Sequence, residues 1–473
     1  MKRVTKIIIS SIAAALSLSC LPIAVGTVLL SNSSVYQDTF LGGLSLKREL
    51  LKSKQGKRIV LIGGSALPFG VQSGLVEQEL PSYGVVDFGL YAAIGSEAML
   101  DLAIPYLREG DIAIISPEQN EQTLSSYFSP RDMWRAIDGC KDAFFDLDES
   151  DRSDMMGDAL DFSREKLPYL LHNEKAEGDG VYAKSSFDDY GDIKKELTPY
   201  NVMLEGYDPN QMISFATEVV KDSFINDMNY FAEQAAKKGA KTYYWFAPGN
   251  HSAITNNREI DSFYSYLNER ITFPILGNPH DAIMNSGYFY DTNFHLNVAG
   301  SQNNTIRLIN DLKVVFKDDS KTNIEAMSPP KADQEGKRNG NNADLGYFVV
   351  EEKESYCHIT SLTEEGKQME SLTIPYVYND KVIASFGADV FAENQHLQTL
   401  IIQDNIRRIE NASFQGSSIA RIEIHNDTPS SISVSYRLLE GCTANVYVPW
   451  YSLSKYRSNY YWSAHAERTF GFR

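Results

Sequence analysis

Short apolar runs separated by longer stretches of helical periodicity organise the first two thirds of the chain. The runs fall at Arg58–Ile62, Gly84–Phe88, Asp111–Ser116, Lys241–Ala247 and Thr272–Leu276. Each is too short for a helix and sits between helical stretches, so together they predict a parallel sheet covered by helices, an α/β fold. From Gln211 to Lys238, apolar positions recur at Met212, Phe215, Val219, Phe224, Met228 and Phe231. That spacing predicts one long amphipathic helix or two shorter ones. The segment from about 120 to 210 interrupts the alternation with Asp-rich and Tyr-rich pieces. It reads either as a cap facing a substrate or as a surface insertion.

The pattern changes at two further places. Lys2, Arg3 and Lys6 precede an uncharged, mostly apolar run from Ile7 to Leu30, long enough to cross a bilayer as a helix. Apolar character continues past Cys20 and Pro22 to Leu29 and Leu30, further than the core of a cleaved signal peptide. The expectation is a signal-anchor over residues 1–30, single-pass in the cell membrane, with the basic flank cytoplasmic and the main domains extracytoplasmic. A secreted form, or a lipoprotein built on Cys20, is the weaker alternative, because Ser17 stands where such signals usually carry Leu. Residues 318–344 have few apolar positions and many turn formers and read as a linker. The expected organisation is a membrane-proximal segment at 31–55, a catalytic domain at 56–317, the linker at 318–344 and a second domain at 345–473.

In that second region VIASFGADVFAENQHLQTLIIQDN is followed by IRRIENASFQGSSIARIEIHND. Phe391 aligns with Phe414, Leu400 with Ile422 and Ile402 with Ile424, a near-repeat expected of stacked strand-turn units sharing a narrow core. LTIP at 372–375 and NVYVP at 445–449, followed by Leu453 and Tyr456, read as flanking repeat and cap segments.

The formal net charge is -18, and no basic tract suits a phosphate backbone, so no nucleic-acid partner is expected. Cys357 and Cys442 could pair in an oxidising compartment, whereas Cys140 stands alone. No HExxH or compact ligand cluster calls for a metal, and no cofactor motif is present.

The candidate chemistry lies at the ends of the predicted strands, where open parallel sheets gather their active groups. Ser65 follows the first run and a glycine pair in RIVLIGGSALPFG, and YFYDTNFHLNVAG supplies Asp291 and His295. Ser65 is the candidate nucleophile, His295 the base and Asp291 the group that orients the imidazole. GGS lacks the lysine and spacing of a Walker loop. His251 and the pair His280–Asp281 compete with His295, and Glu118 is expected in the strand-end crevice.

These blocks resemble the SGNH or GDSL hydrolase superfamily, closest to its DltD-like and cell-envelope acyl-modifying branches. GGS at 63–65 matches the serine block, DFGLY at 87–91 is similar to the glycine block, and Asp291 through Gly300 matches the terminal block. The resemblance covers roughly residues 56–317. It implies a three-layer SGNH-like domain with an oxyanion hole formed by the backbone N–H groups of Ser65 and Gly89. A third donor would be an Asn, with Asn120 in SPEQNE and Asn250 in FAPGNH as the candidates. The chain departs from the family in Gly64, which replaces the acid of GDS, and in an Asp291–His295 spacing one residue longer than DxxH. The second region resembles BspA-like leucine-rich repeats, which implies a small C-terminal solenoid. Together the resemblances imply an extracytoplasmic serine esterase or O-acyltransferase acting on an acylated envelope polymer or glycan. The repeat module is a candidate contact for a surface protein, and it is expected to be removable without loss of small-ester turnover. The alternative is a noncatalytic surface-binding or envelope-assembly protein.

Overall fold

The computed structural model describes residues 34–330 and 340–472. Five parallel strands carry the first region: β1 (Arg58–Gly63), β2 (Gly84–Asp87), β3 (Ile112–Ser116), β4 (Lys241–Trp245) and β5 (Ile275–Leu276). Their order across the sheet is β2-β1-β3-β4-β5, with Val60 beside Val86 and Ala113. Because side chains alternate along a strand, β1 feeds two separate cores. Val60 and Ile62 point into one with Leu51, Met99 and Phe231, while Ile59 and Leu61 point into the other with Val76, Leu308 and Leu312. Each of these fully buried β1 side chains contributes about 1.5–3 kcal/mol relative to exposure. This two-sided burial explains why the strands read as unbroken apolar runs.

The helix expected over residues 211–238 is confined to Asp222–Lys237. Upstream, the backbone of Ile213 is bonded to the segment around Ile254: its N–H donates to Ala253 and its carbonyl accepts from Thr255. Those bonds replace the intrahelical ones, so Met212 and Phe215 belong to an irregular segment despite their spacing. Between residues 120 and 210 lie helices Pro130–Ile137 and Glu149–His172, followed by a long irregular stretch that includes Tyr182. The described part of the segment expected to be membrane-proximal is part of the core. Val35, Tyr36, Phe40, Leu44 and Leu51 are buried, and Thr39 forms an antiparallel bridge with Ala183.

In the second region β6 (Ser371–Thr373), β7 (Thr399–Ile402), β8 (Arg421–Ile424), β9 (Asn445–Pro449) and β10 (Thr469–Phe472) form a continuous parallel stack. The register sets Leu400 against Ile422 and Ile402 against Ile424, the positions the near-repeat aligns. Phe391 stacks on Phe414 with ring centroids 5.8 Å apart. The whole is a mixed α/β architecture with several sheets, and the second region has its own apolar core.

Two expectations are corrected. Among the described residues no helix is long and apolar enough to cross a membrane, and the run Ile7–Leu30 lies outside the described residues. The single-pass anchor, the membrane partner and the extracytoplasmic placement that rested on that run are therefore withdrawn. Cys357 and Cys442 do not pair: both are buried free thiols, and Cys140 is also free. Cys442 instead approaches the Ser417 hydroxyl at 3.6 Å, and Cys357 the carbonyl of Tyr378 at the same distance.

Candidate active site

Ser65 is the first residue beyond Gly64 at the C-terminal end of β1 and begins the short helix Ala66–Gly70. Across the sheet end, His295 Nε2 lies 2.8 Å from Ser65 Oγ, and His295 Nδ1 lies 2.9 Å from Asp291 Oδ1. The extra residue between Asp291 and His295 is absorbed by a tight turn. Thr292 Oγ1 accepts from the N–H groups of both Phe294 and His295, at 3.1 and 2.9 Å. The turn leads into helix Val298–Phe316, whose first N–H groups are capped by Asn297 Oδ1, which accepts from Ala299 and Gly300. A Cβ on Gly300 would fall 2.2 Å from the Tyr288 carbonyl, so the close approach requires glycine there. These contacts give physical roles to the Leu-Asn-x-x-Gly sequence after His295.

The imidazole is held on its flat face by Phe69, whose ring is nearly parallel to it at 3.9 Å between centroids. Asp291 is held from two sides. Tyr182 donates from its hydroxyl to Asp291 Oδ2 at 2.5 Å, and Tyr461 donates to the Asp291 backbone carbonyl at 2.8 Å. Burial, followed by the Asp291 charge, raises the Tyr182 phenol well above its ordinary pKa, so Tyr182 stays protonated and a donor. Tyr460 presents its ring edge to His295 at 5.5 Å, and its hydroxyl interacts with Ser65. Ser65 is only 1% exposed. A cleft of about 550 Å³ lies beside this cluster, walled by both regions through Tyr91, Tyr127 and Phe294 and through Tyr436, Tyr460 and Tyr461; Ser65, His295 and Asp291 themselves lie behind its lining.

The oxyanion candidates separate clearly. The Gly89 N–H is already donated to Asp87 Oδ1 at 2.8 Å, and Asp87 is in turn paired with the buried Lys47. Asn250 is consumed structurally: its oxygen accepts from the Ser252 N–H and the Ser286 hydroxyl, and its amide donates to the Gly206 carbonyl. Asn120 lines the cleft, and its oxygen accepts from the Thr123 N–H, which leaves the amide nitrogen as its donor group. Glu118, just beyond β3, also reaches the cleft and is 2% exposed. The competing histidines are elsewhere: His251 is exposed, and His280 bonds Asp261 at 2.8 Å rather than pairing with Asp281. Among the described residues no group of three or more His, Cys, Asp or Glu is placed to hold a metal ion.

Sequence patterns did not point to Tyr182, Tyr460 or Tyr461. Each reaches the site from an irregular segment far away in the chain, and no local motif marks it. Phe69 and Thr292 did lie inside the serine and histidine blocks, where an aromatic near the nucleophile and a hydroxyl in the Asp–His turn were available signals.

The chain matches no family model, including any for the SGNH or GDSL hydrolases, and no curated protein. Solved structures with local similarity include a leucine-rich repeat protein of T. pallidum, 13% identical over 25% of this chain and 47% of that one, with a TM-score of 0.17. A leucine-rich cell surface protein from Faecalibacterium prausnitzii is 17% identical over 22% of this chain and 25% of the other, with a TM-score of 0.16. The Bacillus subtilis protein YxiM is 12% identical over 55% of this chain and 57% of the other, with a TM-score of 0.27. The chain thus spans little more than half, or less, of the length of the structures it matches, and similarity this slight carries no argument about fold or activity.

Proposed function

We propose that this protein is a serine esterase or O-acyltransferase. The observation that carries the proposal is the hydrogen-bonded series Ser65 Oγ, His295 and Asp291, at 2.8 and 2.9 Å. In this reading Ser65 attacks the acyl carbon while His295 takes its proton, and Asp291 holds the imidazole and balances the imidazolium that forms. The proton then passes from His295 to the departing alcohol, leaving an acyl group on Ser65. Water or a second hydroxyl, activated by the same imidazole, releases it. The tyrosine-walled cleft with Gln122, Asn210 and Gln211 suits a hydroxylated carrier of the glycan type, which stacks on aromatic rings and hydrogen-bonds to amides.

The sheet order and its two apolar faces support reading the first region as a three-layer fold of the SGNH kind, with Ser65 at the strand end such folds use. The parallel stack β6–β10 supports reading the second region as a short leucine-rich-repeat solenoid. A second reading, a noncatalytic binding or assembly protein, draws on the burial of Ser65 beside Tyr460 and on the capture of the Gly89 N–H by Asp87. Turnover decides between the two. The proposal expects purified protein to hydrolyse short aryl esters, and Ser65→Ala and His295→Ala to lose that activity while keeping the fold. Full activity in Ser65→Ala would refute it.

A further inference from the structure

With the Gly89 N–H and the Asn250 amide engaged elsewhere, the Ser65 N–H and the Asn120 amide remain of the expected donors to the oxyanion of a tetrahedral intermediate on Ser65, and the structure offers one more. Glu118 stands in the right place. Its Oε1 accepts from the Ala66 N–H at 3.0 Å, one residue past the nucleophile, while its Oε2 is buried without a partner. A Cβ on Gly64 would lie 2.3 and 2.4 Å from the two carboxyl oxygens, so the carboxyl occupies the space a side chain at Gly64 would take. Gly64 is thus the residue that makes room for an acid supplied from the end of β3.

We infer that Glu118 acts in its protonated form as an oxyanion donor, offering Oε2–H to the tetrahedral intermediate beside the Ser65 N–H. The inference rests on the serine acyl-transfer reading above. A neutral carboxyl can accept from Ala66 and donate at the same time, satisfying the otherwise orphaned atom. An ionised one would place a negative charge against the developing oxyanion. Burial favours the neutral form and raises the Glu118 pKa; hydrogen bonds from Ala66 and from its own backbone N–H, and the imidazole of His295, oppose it. His295 and the Tyr460 phenol are the titratable groups that interact with it. Glu118 keeps its proton throughout the cycle, and no bond to it breaks.

The test is steady-state hydrolysis of a short aryl ester by the full chain across pH, for the unsubstituted protein, Glu118→Gln and Glu118→Ala, with circular dichroism as the check on folding. Removing one oxyanion donor costs roughly 10²–10³-fold in kcat, so Glu118→Ala should fall by about that factor with KM nearly unchanged. Activity of the unsubstituted protein should decline on the alkaline side as Glu118 ionises. Glu118→Gln, which retains a non-titrating donor, should keep kcat within about tenfold, because a neutral donor of similar reach remains, and lose that alkaline decline. A loss in Glu118→Gln as deep as in Glu118→Ala would mean that the carboxylate itself is required and would overturn the inference. Unchanged kcat and pH profiles in both variants would do so too. Ser65→Ala, measured alongside, separates the two claims: if it is inactive while the Glu118 variants are unaffected, only the present inference fails. If it is fully active, or the unsubstituted protein has no turnover, the serine reading fails with it.

Discussion

Tyr182→Phe removes one hydroxyl and nothing else from the support of Asp291. That hydroxyl is buried and donates to Asp291 Oδ2 at 2.5 Å, while the opposite oxygen holds His295 Nδ1 at 2.9 Å. A hydrogen bond to a charged group contributes about 1.5–3 kcal/mol. If the whole of it were expressed in the transition state, the loss in kcat/KM would be roughly 10–150-fold. The Asp291–His295 bond and the Tyr461 bond to the Asp291 carbonyl survive the substitution, so part of the loss falls on the ground state and on stability. The expected fall is therefore about tenfold in kcat/KM, carried by kcat, since the hydroxyl acts through orientation of the imidazole. Asp291→Asn should cost more, up to roughly 10⁴-fold, because it also favours the wrong histidine tautomer. Initial rates with a short aryl ester, measured for both variants at matched folded fraction, give the ranking. Activity of Tyr182→Phe equal to that of the unsubstituted protein, or lower than that of Asp291→Asn, would refute the positioning role.

Two other outcomes follow from the same geometry and charge distribution. Ending the chain near residue 317 removes Tyr460 from His295 and Tyr461 from Asp291, so small-ester turnover should fall with the second region; undiminished kcat/KM in a folded truncated protein would contradict this. Burial together with mutual repulsion among Glu97, Asp101, Asp148 and Asp151 raises Asp101 to about 7 and Asp151 to about 8, and Asp227 reaches about 7 beside them. Folded-state values above the unfolded one mean that the folded protein holds extra protons, so this stabilisation is present at low pH and lost as pH rises towards 8. The melting temperature at constant ionic strength should drop between about pH 4 and 8, a window set by the unfolded carboxylate value and the raised ones, and Asp151→Asn should flatten that drop. A flat profile in the unsubstituted protein would contradict the assignment.

What the sequence revealed and what it concealed divide along local and long-range physics. The five strands were legible because both of their faces are buried, which leaves an unbroken apolar run within a few residues. The pairing of Leu400 with Ile422 was legible because stacked units repeat their core positions at a near-constant interval. Short blocks, one after β1 and one ahead of helix Val298–Phe316, drew attention to Ser65, Asp291 and His295, and the structure brings their side chains within hydrogen-bond reach. The spacing of Met212 and Phe215 misled because the backbone of Ile213 had better partners in the Ile254 segment than in its own helix, a competition that a one-dimensional pattern does not record. Two of the four expected oxyanion donors are engaged elsewhere for a similar reason. Gly89 and Asn250 have suitable groups, but Asp87 and the Ser252–Ser286 pair claim them from elsewhere in the chain. The clean linker at 318–344 suggested two independent halves. Yet Tyr461 crosses to Asp291, Ser433 to Asp208, and Asn210 to the carbonyl of Ile409, so the second region also walls the cleft.

Covalent capture of Ser65 tests the central claim most directly. The folded full-length protein would be treated with an activated aryl ester or a fluorophosphonate, and the adduct located by intact-protein and peptide mass spectrometry. The account predicts one adduct on Ser65, absent in Ser65→Ala and formed much more slowly in His295→Ala, whose nucleophile lacks its base. Stoichiometric labelling at another residue, or a folded protein whose Ser65 remains unmodified while ester is consumed, would contradict it.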